Sequence, residues 1–287
     1  MKIILKIISY VPLRVLYIFS DIMFFVGFYV VKYRKKIVFE NLKNSFPKKS
    51  EKELKNIQKK FFKNLSDYTV ETIKLISITE KELRLRVQHI HHGIFKELEK
   101  EKKNIILLTG HVFNWEWLLS ITSVCAKENY YSVYRKVNNS FWNNEILNIR
   151  NRFKNKSLEA GEVIKHMIKN PNDGDSVYLF VADQTPHVSN VNIGLHFLNQ
   201  RTPVFVGYDK ISSKLDLAFI YCETKKIKRG HYQVNYYRIC PENKEFAPYE
   251  LVKKYHILLE NTIRKQPENY LWSHRKWKYS GSIKNMI

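Results

Sequence analysis

The chain has 287 residues, 44% of them hydrophobic, which suits one large domain with a full core. Its formal net charge of +22 at pH 7 and its pI near 9.7 indicate an anionic partner, whether nucleic acid, an anionic membrane surface, a phosphorylated lipid or an acidic protein. Its three widely spaced cysteines argue against a disulfide-rich scaffold and suit reduced thiols facing the cytosol.

The first predicted element is an apolar helix near the N-terminus. Residues 15–31 form an apolar stretch of about seventeen residues, at the short end for crossing a bilayer. Asp21 lies inside this stretch and would be costly in the hydrocarbon unless it were paired or hydrated. The basic run 32–36 follows at once, which predicts that the rest of the chain is cytoplasmic. We therefore predict a membrane anchor with its juxtamembrane segment over residues 1–36, either spanning the bilayer or lying in its interface.

Residues 37–287 alternate between helix and strand patterns. Apolar residues at helical spacing predict a long amphipathic helix over residues 54–76, with lysines on its outer face. A closing amphipathic helix is predicted over about 248–265, and strands are predicted at 105–109, 131–134, 177–181, 217–221 and 233–237. Helical segments between most of these strands, such as 117–127 and 159–169, predict one α/β domain with a largely parallel mixed sheet flanked by helices.

The most informative motif follows the first strand of that sheet. Residues 110–116 read Gly-His-Val-Phe-Asn-Trp-Glu, so a histidine and a carboxylate stand five residues apart at a strand-to-helix turn. Within one helix such residues would point about 140° apart, so His111 must lie in the turn and Glu116 in the first helical turns. We predict that Glu116 holds one ring nitrogen of His111 protonated, which leaves the other free to act as a general base.

Other familiar chemistry is not indicated. His89, His91 and His92 lack a second ligand cluster at metal spacing, so a solvated strand or turn is the preferred interpretation. No Walker loop and no dinucleotide glycine motif occurs, so we predict neither a metal nor a nucleotide cofactor. No helix-turn-helix, zinc-finger or RNA-binding signature occurs either, and the positive charge is not clustered on one predicted helix, so nucleic acid is not predicted as a partner.

The His block is one of five stretches that resemble, in the same order, the bacterial lipid A late acyltransferases of the lysophospholipid acyltransferase superfamily. The others include Val-Ala-Asp-Gln at 181–184 and the C-terminal block Pro-Glu-Asn-Tyr-Leu-Trp-Ser-His-Arg-Lys-Trp-Lys at 267–278. A juxtamembrane segment at 33–47 and a looser arginine-bearing region that contains Arg135, Arg150 and Arg152 complete the set. The resemblance spans about residues 15–278.

The resemblance implies a membrane-bound acyltransferase of lipopolysaccharide biosynthesis. It implies a fatty acyl donor on acyl carrier protein and a hydroxyl acceptor on a phosphorylated, acylated lipid A precursor. The expected location is the bacterial inner membrane, with residues 37–287 as a catalytic domain that faces the cytoplasm and meets anionic membrane lipid. Direct attack by the hydroxyl would need no Ser or Cys nucleophile, and no Gly-x-Ser-x-Gly elbow occurs.

Five further residues are predicted to bind substrate. Asn114 either caps the following helix or positions the substrate. Arg135 and Arg150 suit phosphate or thioester recognition and compete with backbone amides at the helix start as oxyanion donors. Asp183 and Gln184 either form a polar turn after their strand or, as the resemblance implies, line the active-site rim near the acceptor headgroup.

Two alternative functions stay open at this stage. An acyltransferase of the same superfamily could act on a lysophospholipid, an aminolipid or a glycolipid, because sites rather than folds determine specificity. A non-enzymatic basic protein that binds membrane or nucleic acid is the other alternative.

Overall fold

The computed structural model describes residues 2–170, 174–186, 191–212, 214–241 and 245–287. The α-helices of this part are α1 (Lys2–Tyr10), α2 (Leu13–Phe25), α3 (Lys35–Ser45), α4 (Glu51–Lys74), α5 (Glu80–Arg86), α6 (Ile94–Lys100), α7 (Ser140–Arg150), α8 (Val163–Lys169), α9 (Gly207–Ser212) and α10 (Glu250–Lys265). A π-helical turn, Val26–Val30, extends α2, and short 3₁₀ helices cover Trp115–Ser123, Pro267–Asn269 and Ser280–Ser282.

The strands build one large sheet and one small sheet. They are β1 (Val87–Ile90), β2 (Ile105–Thr109), β3 (Asn129–Tyr134), β4 (Asn155–Glu159), β5 (Ser176–Val181), β6 (Ile193–Phe197), β7 (Gln200–Pro203), β8 (Ala218–Lys228), β9 (His231–Ile239) and β10 (Asn285–Met286). The seven-stranded sheet has the order β1-β9-β8-β2-β5-β3-β4, and every neighbouring pair in it is parallel except β8 and β9. The predicted mixed α/β fold with a largely parallel sheet is therefore confirmed.

The centre of the large sheet is β2, which lies between β5 and β8. All five of its residues are buried, as expected for a strand covered on both faces by helices. The five predicted strands all occur in this sheet. The strands β6, β7 and β10 of the small sheet were not predicted, and neither were β1 and β4 of the large one. Both are short and polar, reading Val-Gln-His-Ile and Asn-Lys-Ser-Leu-Glu, so they lack the apolar pattern that marks a strand.

The predicted long helix corresponds to α4. Ser50 and Glu53 form a capping box that fixes its start, and Leu54, Ile57 and Phe61 turn their side chains into the core. The segment predicted as a helix over 117–127 is instead the 3₁₀ helix Trp115–Ser123, and the helix predicted over 159–169 begins at Val163. The closing helix occurs as α10.

The N-terminal helices pack against the rest of the protein. Residues Leu13–Val30 are long and apolar enough to cross a membrane, by length and composition alone. Leu16 and Phe28 nevertheless belong to the same buried cluster as the sheet. Asp21 is paired as its position required, because Arg229 donates to its carboxylate at 2.7 Å. The division of the chain at residue 36 stays a prediction.

The three cysteines are free thiols, with Cys125 and Cys222 buried and Cys240 exposed.

Replacing Leu107 at the centre of β2 by alanine should lower the free energy of unfolding by about 2–5 kcal/mol, because it opens a cavity in a site with no exposure. Denaturant unfolding of the detergent-solubilised protein measures this change. The exposed Ile257 on α10 offers the control, since Ile257→Ala should stay within about 0.5 kcal/mol of the unmodified protein. Equal losses for the two variants would contradict the central position of β2.

Candidate active site

The parallel pairing of β2 with β5 brings two polar loops together. Thr109 faces Val181 in the register, and the backbone amide of Ala182 donates to the carbonyl of Thr109 at 2.9 Å. The residues after each strand therefore emerge side by side at the carboxyl edge of the sheet, where open α/β sheets hold their ligands. Gly110 leaves β2 against α10, and a Cβ at this position would meet a methyl carbon of Leu259 at 2.5 Å. The loop can follow this path because residue 110 has no side chain.

His111 is held on both ring nitrogens. Its Nδ1 lies 2.6 Å from Oδ1 of Asp183, and its backbone amide donates to the same oxygen at 3.1 Å. An ionised carboxylate only accepts hydrogen bonds, so the proton of a neutral imidazole sits on Nδ1 and the lone pair on Nε2. The side-chain amide of Gln184 lies 2.9 Å from that Nε2 and can donate to it. This arrangement is the one that a general base requires.

Asp183 is a buried carboxylate with several partners. Besides the two contacts from His111, the hydroxyl of Tyr270 donates to Oδ2 at 2.8 Å, and the ammonium of the buried Lys276 donates to the backbone carbonyl of Asp183. Burial raises the pKa of Asp183, but the facing His111, Lys276 and the Tyr270 hydroxyl outweigh it, and the pKa lies well below its usual value. Asp183 is therefore an anion beside the imidazole.

The structure corrects the predicted partner of His111. Glu116 does lie in the first turn of the following 3₁₀ helix, but its carboxylate receives Arg150 as a bidentate pair, with Nε to Oε2 at 2.9 Å and Nη2 to Oε1 at 2.5 Å. Burial raises the pKa of Glu116, yet Arg150 outweighs it and holds the pKa below its usual value. The sequence order favoured the nearby Glu116, whereas the strand order brings Asp183 to the imidazole.

Asn114 has the capping role that was one of its two predicted alternatives. Its side-chain oxygen accepts from the amide of Glu116 at 3.1 Å, and its backbone carbonyl accepts from the amide of Trp117 at 3.2 Å. These amides, predicted as oxyanion donors, are therefore already engaged. The Asn114 side-chain amide donates to Oε2 of Glu71 on α4 at 2.8 Å.

Glu71 is fully buried and joins three elements. Its carboxylate accepts from Asn114 in the His loop, from the Tyr232 hydroxyl of β9 at 2.7 Å and from the Tyr17 hydroxyl of α2 at 2.9 Å. Burial raises the pKa of Glu71, although the charge of Lys226 and the hydrogen bonds from Asn114 and Tyr232 act against it. The loop that holds His111 is thus connected to the N-terminal helix through a single carboxylate.

A cavity of about 370 Å³ opens beside the imidazole. It lies at the carboxyl ends of β3 and β5, next to α7. Four of the predicted site residues line it, together with apolar side chains such as Val137, Ile146, Phe180 and Phe205; the four are His111, Arg135, Arg150 and Gln184. The other three predicted site residues, Asn114, Glu116 and Asp183, are buried and do not line it.

The cavity is cationic on one side. Arg135 and Lys136 both line it, and Arg135 donates to the backbone carbonyl of Thr185 at 3.1 Å. Among the described residues no carboxylate forms an ion pair with Arg135, whereas Arg150 is already paired with Glu116. Arg152 lies apart from the site, where it donates to the backbone carbonyls of Leu75 and Ile78.

The C-terminal block supports the His loop from behind. The amide of Phe113 donates to the carbonyl of Asn269 at 2.8 Å, and the amide of Leu271 donates to the carbonyl of His111 at 3.0 Å. Tyr270 and Lys276 were not predicted as site residues, although both lie in a stretch that carries the resemblance. Their contacts with Asp183 depend on the tertiary fold, which residue spacing does not show.

Both ring nitrogens of His89 have hydrogen-bond partners within the fold. The Tyr236 hydroxyl lies 2.6 Å from its Nδ1, and the Ser120 hydroxyl lies 3.0 Å from its Nε2. Burial is the main cause that lowers its pKa to about 4, so the ring is neutral at physiological pH.

A histidine–carboxylate pair beside a cavity, at the carboxyl edge of a parallel sheet, defines an α/β protein equipped for base-assisted chemistry. The chain matches the family described as bacterial lipid A biosynthesis acyltransferase over residues 1–279, and it belongs to that family. Membership of this family implies acyltransferase activity in lipid A biosynthesis. No curated protein matches the chain.

The pairing of Glu116 with Arg150 can be measured with a double-mutant cycle. Glu116→Gln and Arg150→Met should each destabilise the protein, and together they should show a coupling free energy of about 1–3 kcal/mol, because each single change leaves a buried partner unsatisfied. The same cycle between Glu116→Gln and His111→Ala should give a smaller coupling free energy, because no hydrogen bond joins these two side chains. Denaturant unfolding gives both values, and the reverse order would restore Glu116 as the partner of His111.

Proposed function

We propose that the protein transfers a fatty acyl chain from an acyl-carrier-protein thioester to a hydroxyl group of a lipid A precursor, with His111 as the general base. The family membership supports the reaction class. The observation that supports this mechanism most is the buried His111–Asp183 pair, because His111 also lines a cavity of about 370 Å³.

In the proposed reaction, Nε2 of His111 takes the proton of the acceptor hydroxyl as its oxygen attacks the thioester carbonyl. A tetrahedral intermediate forms, the carbon–sulfur bond breaks, and the leaving thiolate takes the proton back from the imidazolium. Gln184 lies where the acceptor hydroxyl would approach Nε2, so the acceptor must displace its amide. Base assistance of this kind contributes typically about 10²–10⁴-fold to the rate.

We assign the orienting role to Asp183 in place of Glu116. Asp183 fixes the Nδ1–H tautomer and faces the positive charge that develops on the ring. Glu116 instead holds Arg150 against the wall of the cavity, which is an indirect role in shaping the site.

The cations of the cavity suit an anionic substrate. Arg135 has a guanidinium that can bind phosphate or the oxyanion in a bidentate manner, and Lys136 adds a second charge beside it. Phosphate groups occur both on the precursor and on the carrier's prosthetic arm. The net charge of +22 favours approach to an acidic carrier and an anionic lipid surface. The proposed location is the cytoplasmic face of the bacterial inner membrane.

Replacing His111 by alanine should lower acyl transfer by at least about 10²–10⁴-fold, because the hydroxyl loses its base. The assay uses membranes that carry the protein, acyl-carrier-protein thioesters and a tetra-acylated lipid A precursor. The exposed His196 offers a matched control, and His196→Ala should leave transfer unchanged. Transfer by His111→Ala at the unmodified rate would refute the assignment of the base. If the thioester is consumed on bulk lipid and not on the precursor, the proposed acyl-transfer chemistry stands and the acceptor is a different lipid.

The two carboxylates can be separated with isosteric variants. Asp183→Asn should lower kcat by about 10²–10⁴-fold, because the amide no longer stabilises the imidazolium or enforces its tautomer. Glu116→Gln should lower kcat by about tenfold or less, since its carboxylate contacts Arg150. Steady-state kinetics with the same donor and acceptor test this, and thermal unfolding shows whether each variant stays folded. A larger loss in Glu116→Gln than in Asp183→Asn would reverse the assignment.

A further inference from the structure

The N-terminal helices expose an apolar stripe along their outer side. Ile18, Phe19, Ile22, Phe25 and Val30 on α2 and its π-helical extension are each more than half exposed. The preceding helix α1 adds Ile3, Ile4, Ile7 and Tyr10, which are also each more than half exposed. Contiguous apolar patches of this kind mark interaction surfaces rather than ordinary protein exterior.

The opposite side of these helices is fastened to α4. Tyr17 donates to Glu71, the Ser20 hydroxyl donates to Asp67 at 2.7 Å, and the rings of Phe28 and Phe62 lie 5.4 Å apart. The contact residues rise in number along α2 and fall along α4, so the two helices run antiparallel. The contacts therefore extend over nearly the whole length of α2.

The two ends of this N-terminal segment are attached to α4 as well. The ammonium of Lys74 donates to the backbone carbonyl of Ser9, which precedes α2 in the chain, at 3.0 Å. At the other end, the side-chain amide of Gln58 donates to the carbonyl of Lys35 at 2.7 Å. These bonds hold the segment lengthwise against the body of the protein.

This attachment is incompatible with a helix that crosses the bilayer. If α2 spanned the hydrocarbon, the part of α4 that packs on it, residues 62–74, would have to cross it too, with its exposed Lys63. The turn between β8 and β9 would follow, because Arg229 binds both Asp21 and Asp67. Charged side chains are strongly disfavoured at that depth.

The distribution of basic residues agrees with this geometry. Exposed lysines lie before α2, at Lys2 and Lys6, and after it, at Lys32 and Lys36. The positive-inside rule keeps basic ends on the cytoplasmic side, so it does not favour opposite sides for the two ends of α2. Basic residues around an apolar face are instead typical of helices that bind anionic headgroups.

We propose that α1 and α2 lie in the plane of the membrane, with their exposed apolar stripe in a single leaflet of anionic lipid and both ends on the same side. The α4 face of the segment stays on the protein, and the protein is held at the membrane by one surface. Attachment by this surface is independent of the acceptor and of the role of His111.

Cysteine labelling in cell membranes decides the topology. Lys2→Cys and Lys36→Cys are introduced separately into a Cys240→Ser background, in which Cys125 and Cys222 are buried. A membrane-impermeant maleimide is applied to spheroplasts and to inverted vesicles, and detergent-permeabilised membranes show that both sites can react. We expect both sites to react from the same side. Reaction from opposite sides would refute the proposal.

Flotation with vesicles tests the stripe itself. The purified full-length protein is mixed with vesicles of phosphatidylethanolamine and phosphatidylglycerol, and the fraction bound is measured with and without phosphatidylglycerol. Ile18→Ser combined with Ile22→Ser should weaken binding at least about tenfold, whereas Ile257→Ser on α10 should not. Removing the anionic lipid should also weaken binding. Undiminished binding by the double variant would contradict attachment through the stripe.

Discussion

The geometry of the site depends on one buried carboxylate. Asp183 ends up adjacent to His111 because β5 pairs with β2, and its two oxygens are satisfied by the His loop and by Tyr270. A buried charge is tolerated only when such donors surround it. The requirement to satisfy Asp183 therefore ties together β2, β5 and the C-terminal block, which are remote in sequence. Any rearrangement of one of them leaves a donor or the carboxylate without a partner.

Each acidic side chain near the site has its own set of hydrogen-bond donors. Asp183 is hydrogen-bonded to His111, and Glu116 is paired with Arg150. Glu71 accepts hydrogen bonds from neutral hydroxyl and amide donors. Two carboxylates competing for one imidazole would leave one of them unsatisfied in a buried setting, which is unfavourable. Arg150 prevents that competition by binding Glu116 in a bidentate manner. The pairing of His111 with Asp183 thus depends on the cation that engages Glu116 as well as on Asp183 itself.

The local part of this organisation follows from sequence. The apolar run of β2, the glycine after it and the histidine in the turn are short-range features, and they predicted where His111 lies. Its partner depends on the order of strands in the sheet, since β5 lies next to β2 although β3 and β4 intervene in the chain. Residue spacing does not encode that order. For the same reason the contact of Lys276 with Asp183 could not be foreseen, and the nearest acid in sequence, Glu116, was chosen instead.

The N-terminal region shows the same limit. Hydropathy predicted an apolar helix there, and such a helix occurs. Whether it crosses a bilayer depends on what its other face touches, and the partners Asp67 and Glu71 lie on a helix whose own pattern indicated only an amphipathic surface. Asp21 was the one local sign, because an acid in an apolar stretch requires a partner. Arg229, which supplies that partner, lies 208 residues further along the chain.

Glu71 has a consequence for how this protein responds to its surroundings. The hydroxyl of Tyr17 and the amide of Asn114 share one carboxylate, so the N-terminal segment belongs to the scaffold of the His loop and is not a detachable tether. A change in lipid packing or a harsh detergent that displaces α2 would withdraw one of the three donors of Glu71. That loss would affect Asn114, which also donates to Glu71 and which caps the 3₁₀ helix Trp115–Ser123. With the proposed attachment of α2 to lipid, the packing of that lipid would therefore influence the candidate active site.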